Sequence, residues 1–292
     1  MSKSINEPIL HPSTASLINE VIASPPNSLG LVGPSGIGRK TLAQWIIRNI
    51  VGDPDLILEA NQYCKLIGTE NNISIKIEQI KPILEFVKLK TAGKNNLRRF
   101  VIIEDADLLT DDAQNSLLQL LEEPPIDTMI ILLIQNLQEI LPTILSRLQI
   151  ISVKKPSKEQ IKSVFNIDSK EFDKLYVLAD GLPGLLQAII DDPDNHTLII
   201  SLDVVRGLLT KTTFERLTTV NELSTDKIAT KNLLDVLTRL SKVSIDSAVK
   251  KGDEVAADKW LKILAGSVYA KAALNRNANA KLTLTDLFLN LV

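Results

Sequence analysis

The first half of the chain alternates between short apolar runs and stretches whose apolar residues recur at helical spacing. The runs predict buried β-strands and the stretches between them predict helices. This alternation is typical of a parallel sheet with helices on both faces, so we expect an α/β domain. The predicted strands are residues 29–32, 56–58, 99–103 and 129–134. The predicted helices are residues 14–23, 40–51, 80–87 and 110–121.

After about residue 153 the strand-like runs disappear and helical spacing takes over. Ser157 and Gln160 have the spacing of a capping box, which predicts the start of a helix. The sequence GLPG at residues 181–184 interrupts two short helical stretches, and DDPD at residues 191–194 indicates a linker. Amphipathic helices are predicted from about residue 200 onward. The apolar stripe of one of them consists of Leu233, Leu234, Leu237, Leu240 and Val243.

The composition is that of an ordinary globular protein and argues against several kinds of site. The 33 basic and 35 acidic side chains give a net charge of −2, which disfavours a stand-alone DNA-binding protein. The single cysteine, Cys64, allows neither an internal disulfide nor a four-cysteine zinc site, and favours a reducing compartment. No apolar run approaches the length of a membrane span, and the first residues are polar, so we expect a cytoplasmic protein.

A glycine-rich segment between the first strand and its helix has the setting of a phosphate-binding loop. Residues 33–38 read GPSGIG, and their glycines are Gly33, Gly36 and Gly38. A Walker A motif requires Lys and then Ser or Thr directly after its last glycine. Here Arg39 and Lys40 occupy those two positions. The loop is therefore predicted to have the backbone of a nucleotide site without its usual side chains.

The expected pair of residues occurs one position late, as Lys40 and Thr41. One residue along a helix rotates a side chain by about 100°, so this displaced pair points elsewhere. The interpretations left open are loss of ATP hydrolysis, residual ATP binding in which Arg39 contacts a phosphate, and a glycine-rich turn that binds no nucleotide. In each of them Lys40 cannot ligate Mg²⁺ as a hydroxyl would.

Acidic residues follow the strand at residues 99–103, where a Walker B motif would supply ligands for Mg²⁺ and a base. The usual order is Asp and then Glu, but here Glu104 precedes Asp105. The alternative is a helix start in which acids favour the positive end of the helix dipole. Beside the glycine-rich loop, a degenerate nucleotide site is the preferred interpretation.

Two further segments carry a more specific signal. Residues 117–125 read LLQLLEEPP, and residues 141–147 read LPTILSR. With these motifs, residues 28–190 resemble the AAA+ clamp-loader subunits of DNA replication, in which an LLxxLEEPP helix end and an SRC motif follow the Walker B strand. Ser146 and Arg147 match the SRC motif, whereas Leu148 stands where the family has Cys.

The resemblance implies roles for individual residues. Arg147 matches the arginine that projects into the ATP site of the adjacent subunit, which implies an arginine finger acting in trans; a surface arginine in a local salt bridge is the alternative. Gln135 and Asn136 fall where the family has its sensor 1 polar residue. Gly184 falls where the family has the sensor 2 arginine, so that phosphate contact is expected to be lost.

The resemblance also implies a domain organisation and a function. The expected domains are an AAA+ P-loop α/β domain (1–153), a small helical lid (154–196) and a helical, collar-like oligomerisation domain (197–292). The expected function is that of a non-hydrolysing DNA polymerase III clamp-loader subunit. It would assemble with the clamp-loader ATPase subunits and a delta-type subunit, and act through the complex on the sliding clamp and primed DNA. No membrane partner is expected.

The alternative function is that of an active AAA+ ATPase, either a motor subunit of the clamp loader or a helicase-like repair protein. It would require Arg39 or Lys40 to replace the Walker lysine. ATP with Mg²⁺ is accordingly possible at the degenerate site, and no other cofactor is expected. A basic run within residues 88–99 would face solvent, DNA or a partner, with a solvated loop preferred.

Overall fold

The computed structural model describes residues 7–69, 74–88, 97–165 and 167–291. The chain divides into two compact units, Met1–Val164 and Phe165–Val292. The three-domain division expected from the sequence stays a prediction.

The first unit contains a parallel sheet covered by helices. Its strands are β1 (Ser28–Val32), β2 (Cys64–Ile67), β3 (Arg99–Ile103), β4 (Thr128–Ile134) and β5 (Gln149–Ser152). Its α-helices are α1 (Pro12–Ala23), α2 (Arg39–Val51), α3 (Ile77–Lys88), α4 (Asp111–Glu122), α5 (Pro142–Leu145) and α6 (Lys158–Val164). Short 3₁₀ helices occur at Leu58–Ala60, Ala106–Leu108 and Leu137–Glu139. The strands lie in the order β2-β3-β4-β1-β5, and every neighbouring pair is parallel, which confirms the predicted α/β class.

The complete burial of two central strands explains why they could be predicted from the sequence. Every residue of β3 and β4 is buried, as expected for strands covered by helices on both faces. Continuous apolar runs result, and the predicted strands at β1, β3 and β4 are confirmed. The order places β1 beside β4, and β4 beside β3, so the segments that follow these strands emerge at one edge of the sheet.

The two edge strands differ from the prediction. The strand expected at residues 56–58 is wrong, because Leu58 instead begins a 3₁₀ helix and buries its side chain. The second strand is β2, in which no residue is fully buried. β5 was not predicted, and only Ile151 in it is buried. Edge strands that bury so little carry little apolar periodicity.

The second unit is helical throughout its described residues. Its helices are α7 (Ser169–Leu178), α8 (Pro183–Asp191), α9 (Thr197–Thr210), α10 (Thr213–Leu223), α11 (Lys227–Lys251), α12 (Glu254–Asn275) and α13 (Ala280–Leu289). The long helix α11 packs against α12 and α9. Its predicted stripe holds at Leu233, Leu234 and Leu237, but Val243 is 42% exposed. Contacts on more than one side of α11 place buried residues outside a single stripe.

The capping box predicted before α6 is confirmed. The backbone N–H of Ser157 donates to Oε1 of Gln160 at 2.9 Å, and the N–H of Gln160 donates to Oγ of Ser157 at 3.2 Å. Among the described helices of the whole chain, none combines the length and the apolarity that a membrane-spanning helix requires.

Candidate functional site

The loop between β1 and α2, residues 33–38, retains the backbone features of a phosphate-binding loop. Gly36 and Gly38 have φ angles of 86° and 98°, in the left-handed region that favours glycine. A Cβ added to Gly33 would lie 3.3 Å from the carbonyl oxygen of Val153. The 13-residue helix α2 begins directly after the loop, so its first N–H groups lack intrahelical partners there. The strand–loop–helix context expected from the sequence is present.

The side chains that follow the loop are paired with the acids after β3. Nζ of Lys40 lies 2.7 Å from Oε1 of Glu104, and the two side chains are 46% and 26% exposed. The sequence prediction assigns Lys40 to the Walker hydroxyl position and Glu104 to a position where a Walker B acid would hold Mg²⁺. A cation from the chain itself therefore contacts this carboxylate.

The neighbouring pair has a more buried cation and a longer separation between its charged atoms. Nη2 of Arg39 lies 3.6 Å from Oδ1 of Asp105, and the Arg39 side chain is 8% exposed. Burial lowers the pKa of Arg39 and raises the pKa of Asp105, and in each case the attraction between the two groups opposes that effect. Within the described residues, no group accepts a hydrogen bond from Nη1 of Arg39. Asp105 adopts a left-handed backbone conformation with φ of 47°.

Thr41 does not replace the missing hydroxyl. It lies within the first turn of α2, one position after Lys40, and is exposed. The structure thus brings together four of the predicted residues, namely Arg39, Lys40, Glu104 and Asp105, as two oppositely charged pairs.

The sensor 1 candidates lie directly after β4. The backbone N–H of Gln135 donates to Oδ1 of Asp107 at 2.9 Å, which joins this segment to the one that follows β3. Oδ1 of Asn136 accepts a hydrogen bond from the N–H of Gln138 and caps a 3₁₀ helix. Both Gln135 and Asn136 are exposed. Their roles as nucleotide sensors stay predictions.

Arg147 follows the short helix α5 and is held by two elements. Its Nη2 lies 2.8 Å from Oε1 of Glu122, the last residue of α4. Its Nη1 donates to the carbonyl oxygen of Thr143 at 2.7 Å and contacts Oγ of Ser146 at 3.2 Å. The Arg147 side chain is 34% exposed. The local ion pair considered as the alternative to a finger is present, and it leaves a third of the side chain accessible.

The position matched to sensor 2, Gly184, lies in the first turn of α8 in the second unit. Glycine has no side chain that could contact a phosphate. The preceding turn depends on Gly181, which has a φ of 66° and lies against the Tyr176 ring.

Sequence reasoning missed Gln114, which supports the segment leading to Arg147. Gln114 is 2% exposed. Its amide nitrogen donates to the carbonyl oxygens of Leu109 and Glu139, at 3.2 and 2.9 Å, and its Oε1 accepts from the N–H of Leu141 at 2.8 Å. The signal available in the sequence was a polar residue at a position where the helical spacing of α4 predicts an apolar one.

At its C-terminal end, the basic run within residues 88–99 is not the solvated loop that was expected. Arg99 is the first residue of β3, is 4% exposed and pairs with Asp127. Its Nη1 donates to the carbonyl oxygen of Phe86 at 3.1 Å. Lys90 and Lys94 lie outside the described residues. Among the residues that the structure does describe, no cluster of His, Cys, Asp and Glu is suited to hold a metal ion.

Comparisons with known proteins find similarity to subunits of DNA polymerase III. Residues 24–157 match the family model described as DNA polymerase III, delta subunit. The chain is 32% identical over 132 residues to the DNA polymerase III subunit delta' of Pseudomonas aeruginosa, covering 40% of each chain. It is 37% identical over 101 residues to the subunit delta' of Bacillus subtilis, covering 31% of this chain and 30% of that protein. The matched segment therefore spans less than half the length of these relatives.

One solved structure shows the same fold over nearly the whole chain. A DNA polymerase III gamma subunit-related protein of Thermotoga maritima superposes with a TM-score of 0.54 at 17% identity, covering 95% of this chain and 98% of that one. This likeness, together with the five-stranded parallel sheet, shows the fold of the chain. The match of residues 24–157 to the delta subunit model and the similarity to two bacterial delta prime subunits confirm the clamp-loader resemblance predicted from the motifs.

Proposed function

We propose that this chain is a subunit of the DNA polymerase III clamp loader that does not hydrolyse ATP itself. It supplies Arg147 to the ATP site of a neighbouring subunit and helps to load the sliding clamp on primed DNA. One observation carries the proposal. The charged residues of its own nucleotide site neutralise one another, with Lys40 2.7 Å from Glu104, whereas Arg147 is partly exposed.

The side chains do not fit ATP with Mg²⁺. A working site places a hydroxyl and a free carboxylate next to the metal ion. Here the Lys40 ammonium replaces the hydroxyl and contacts Glu104. Two unit charges 4 Å apart interact by about 4 kcal/mol at an effective dielectric constant of 20, and Mg²⁺ carries two charges. Repulsion between Lys40 and the metal ion therefore opposes binding strongly.

Arg39 is a poor substitute for the Walker lysine for a different reason. Its side chain is 8% exposed and lies 3.6 Å from Asp105. A lysine ammonium is compact on a flexible stem, whereas the planar guanidinium is larger and is confined by its surroundings. The glycine cradle at Gly36 and Gly38 is thus followed by side chains that suit neither the metal ion nor its phosphates.

Arg147 has the chemistry and the accessibility of a finger. Its guanidinium is always charged and suits the oxygen atoms of a phosphate. Arginine fingers accelerate phosphoryl transfer by about 10³–10⁵, equivalent to about 4–7 kcal/mol of transition-state stabilisation. A side chain buried in its own subunit could not reach another one, and Arg147 is 34% exposed.

The similarity to delta prime subunits supports the choice of partners. These are the clamp-loader ATPase subunits and a delta-type subunit, with the sliding clamp and primed DNA engaged through the complex. In this scheme Gln135 and Asn136 occupy the sensor 1 position without a nucleotide to sense. In the same scheme, residues 154–196 form a lid and residues 197–292 form a collar-like oligomerisation region.

Calorimetry of the isolated chain with ATP and Mg²⁺ tests the loss of its own site. We expect no heat of binding at micromolar protein and no phosphate release. Micromolar binding followed by turnover would refute the proposal.

The same measurement addresses the second candidate function, an active AAA+ ATPase. The observation in its favour is Nη1 of Arg39, the residue directly after the glycine loop, which is buried and has no acceptor within the described residues. A phosphate oxygen would satisfy it. Binding without turnover would indicate a nucleotide that is held structurally, and turnover would indicate the enzyme.

A further inference from the structure

Glu122 and Arg147 are joined although they lie 25 positions apart. Oε1 of Glu122 accepts from Nη2 of Arg147 at 2.8 Å, and the carbonyl oxygen of Thr143 accepts from Nη1 at 2.7 Å. The guanidinium is therefore held from two sides, by the end of α4 and by α5.

The position of Glu122 in its helix is electrostatically unfavourable. Glu122 is the last residue of α4 and Glu123 is its C-cap, at the end where the helix dipole repels negative charge. Pro124 and Pro125 follow and cannot continue the helix. Two acids at a helix C-terminus do not stabilise that helix, so a contact outside α4 is the better explanation for at least one of them.

The framework beneath the pair is rigid. Leu117 and Leu121 of α4 are buried in the core, at 0% and 4% exposure. The buried Gln114 of the same helix accepts a hydrogen bond from Leu141, immediately before α5. The end of α4 is therefore joined through buried contacts to the segment that leads to Arg147.

The exposure of the two side chains indicates what the contact between Glu122 and Arg147 does. The Glu122 and Arg147 side chains are 50% and 34% exposed, and ion pairs in such surroundings add little to the stability of the fold. An arginine side chain has many rotamers, however, and ordering it in advance removes an entropic cost from any later contact. The pair therefore affects the orientation of Arg147 more than the stability of the unit.

We propose that Glu122 is a positioning residue that orients the Arg147 guanidinium for the ATP site of the neighbouring subunit. This inference rests on the proposed function of Arg147. Glu122 contacts no nucleotide in this scheme and acts only through Arg147.

The test uses the clamp loader reconstituted with the P-loop ATPase subunits that co-purify with the chain. We expect Glu122→Ala to lower the ATPase kcat by about two- to fivefold, as befits an exposed ion pair, with the KM for ATP nearly unchanged. Glu122→Gln keeps an acceptor oxygen and should lose less. Glu123→Ala removes the same charge one residue away and should behave as the wild type.

A double variant separates positioning from a general structural effect. With Arg147→Ala present, Glu122→Ala should cause no further loss, because Glu122 acts through that side chain. An equal loss in both backgrounds would overturn the inference, as would wild-type activity of Glu122→Ala alongside an impaired Arg147→Ala. If Arg147→Ala itself had no effect, the proposed function would fail and the inference with it.

A measurement on the isolated chain needs no partner. Nuclear magnetic resonance of the Arg147 guanidinium should show restricted rotation in the wild type and in Glu123→Ala, and faster rotation in Glu122→Ala. Unchanged rotation in Glu122→Ala would overturn the inference independently of the ATPase measurement.

Discussion

Two ion pairs of similar length in the first unit have opposite consequences in the proposed function. Nζ of Lys40 lies 2.7 Å from Glu104, and Nη2 of Arg147 lies 2.8 Å from Glu122. In that proposal, both partners of the first pair occupy positions that a nucleotide and its metal ion would need, so pairing opposes binding. At the second pair, we propose that Glu122 orients the Arg147 guanidinium, which also donates to the carbonyl oxygen of Thr143. A salt bridge is therefore informative only when the positions of its partners are known.

Removing the guanidinium of Arg147, the cation of the second pair, should have the largest effect on activity. If Arg147 acts in trans, Arg147→Ala should lower ATP hydrolysis at the site that receives it by about 10³-fold or more. The complex should still assemble, because an exposed ion pair contributes little to stability. Single-turnover kinetics of the reconstituted complex, with size-exclusion chromatography for assembly, measure both expectations.

Arg147→Lys is the matched control, since it keeps the charge and loses the planar fork. It should recover only part of the rate. Full activity of the Ala variant would remove the difference in role between the two pairs.

Restoring the Walker A residues at positions 39 and 40 should sharpen the comparison between the two pairs. The double substitution Arg39→Lys and Lys40→Thr restores the Walker A side chains and removes the ammonium beside Glu104. We expect nucleotide binding to rise from undetectable to a Kd in the micromolar range, about 8 kcal/mol of binding free energy. Calorimetry with ATP and Mg²⁺ checks this.

Arg39→Lys alone is the control for that experiment, because it leaves Lys40 in place at the metal position. We expect it to bind no Mg-dependent nucleotide. If the double variant stayed inert while remaining folded, the reversed acids Glu104 and Asp105 would become the better explanation for the lost site.

A smaller effect is expected from the support beneath Arg147. Gln114→Ala leaves the N–H of Leu141 and the carbonyl oxygen of Glu139 without this partner, at a site that is 2% exposed. The cost should be about 1–3 kcal/mol of unfolding free energy. Urea denaturation measures it, with the exposed Gln119→Ala on the same helix as control. Equal stability of the two variants would contradict this role.

Much of the frame was predictable because burial leaves a pattern. The fully buried strands β3 and β4 and the glycine loop were legible in the sequence, as was the resemblance carried by LLQLLEEPP. The edge strands β2 and β5 were not, because they bury few residues. Arg147 could also be predicted as a candidate site residue, from the motif at residues 141–147.

Pairing between distant side chains was beyond prediction. Nothing in the sequence says that Lys40 contacts Glu104, since this depends on β1 and β3 flanking β4 and ending at the same edge of the sheet. The same holds for Arg99, whose position in a basic run suggested solvent but whose side chain is buried beside Asp127. The partner and the burial of each of these charged residues depend on contacts between segments that are distant in the sequence.

The smallest expected effect concerns the stability contributed by the first pair. Lys40 and Glu104 are 46% and 26% exposed, so a double-mutant cycle with Lys40→Ala and Glu104→Ala should give a coupling of about 0.2–1 kcal/mol. The coupling should decrease in high salt, because solvent ions screen exposed charges. Thermal and urea unfolding at two salt concentrations measure it. A coupling of several kcal/mol that ignored salt would mean that the pair is retained to hold β3 against α2, and the neutralised nucleotide site would then be a by-product of folding.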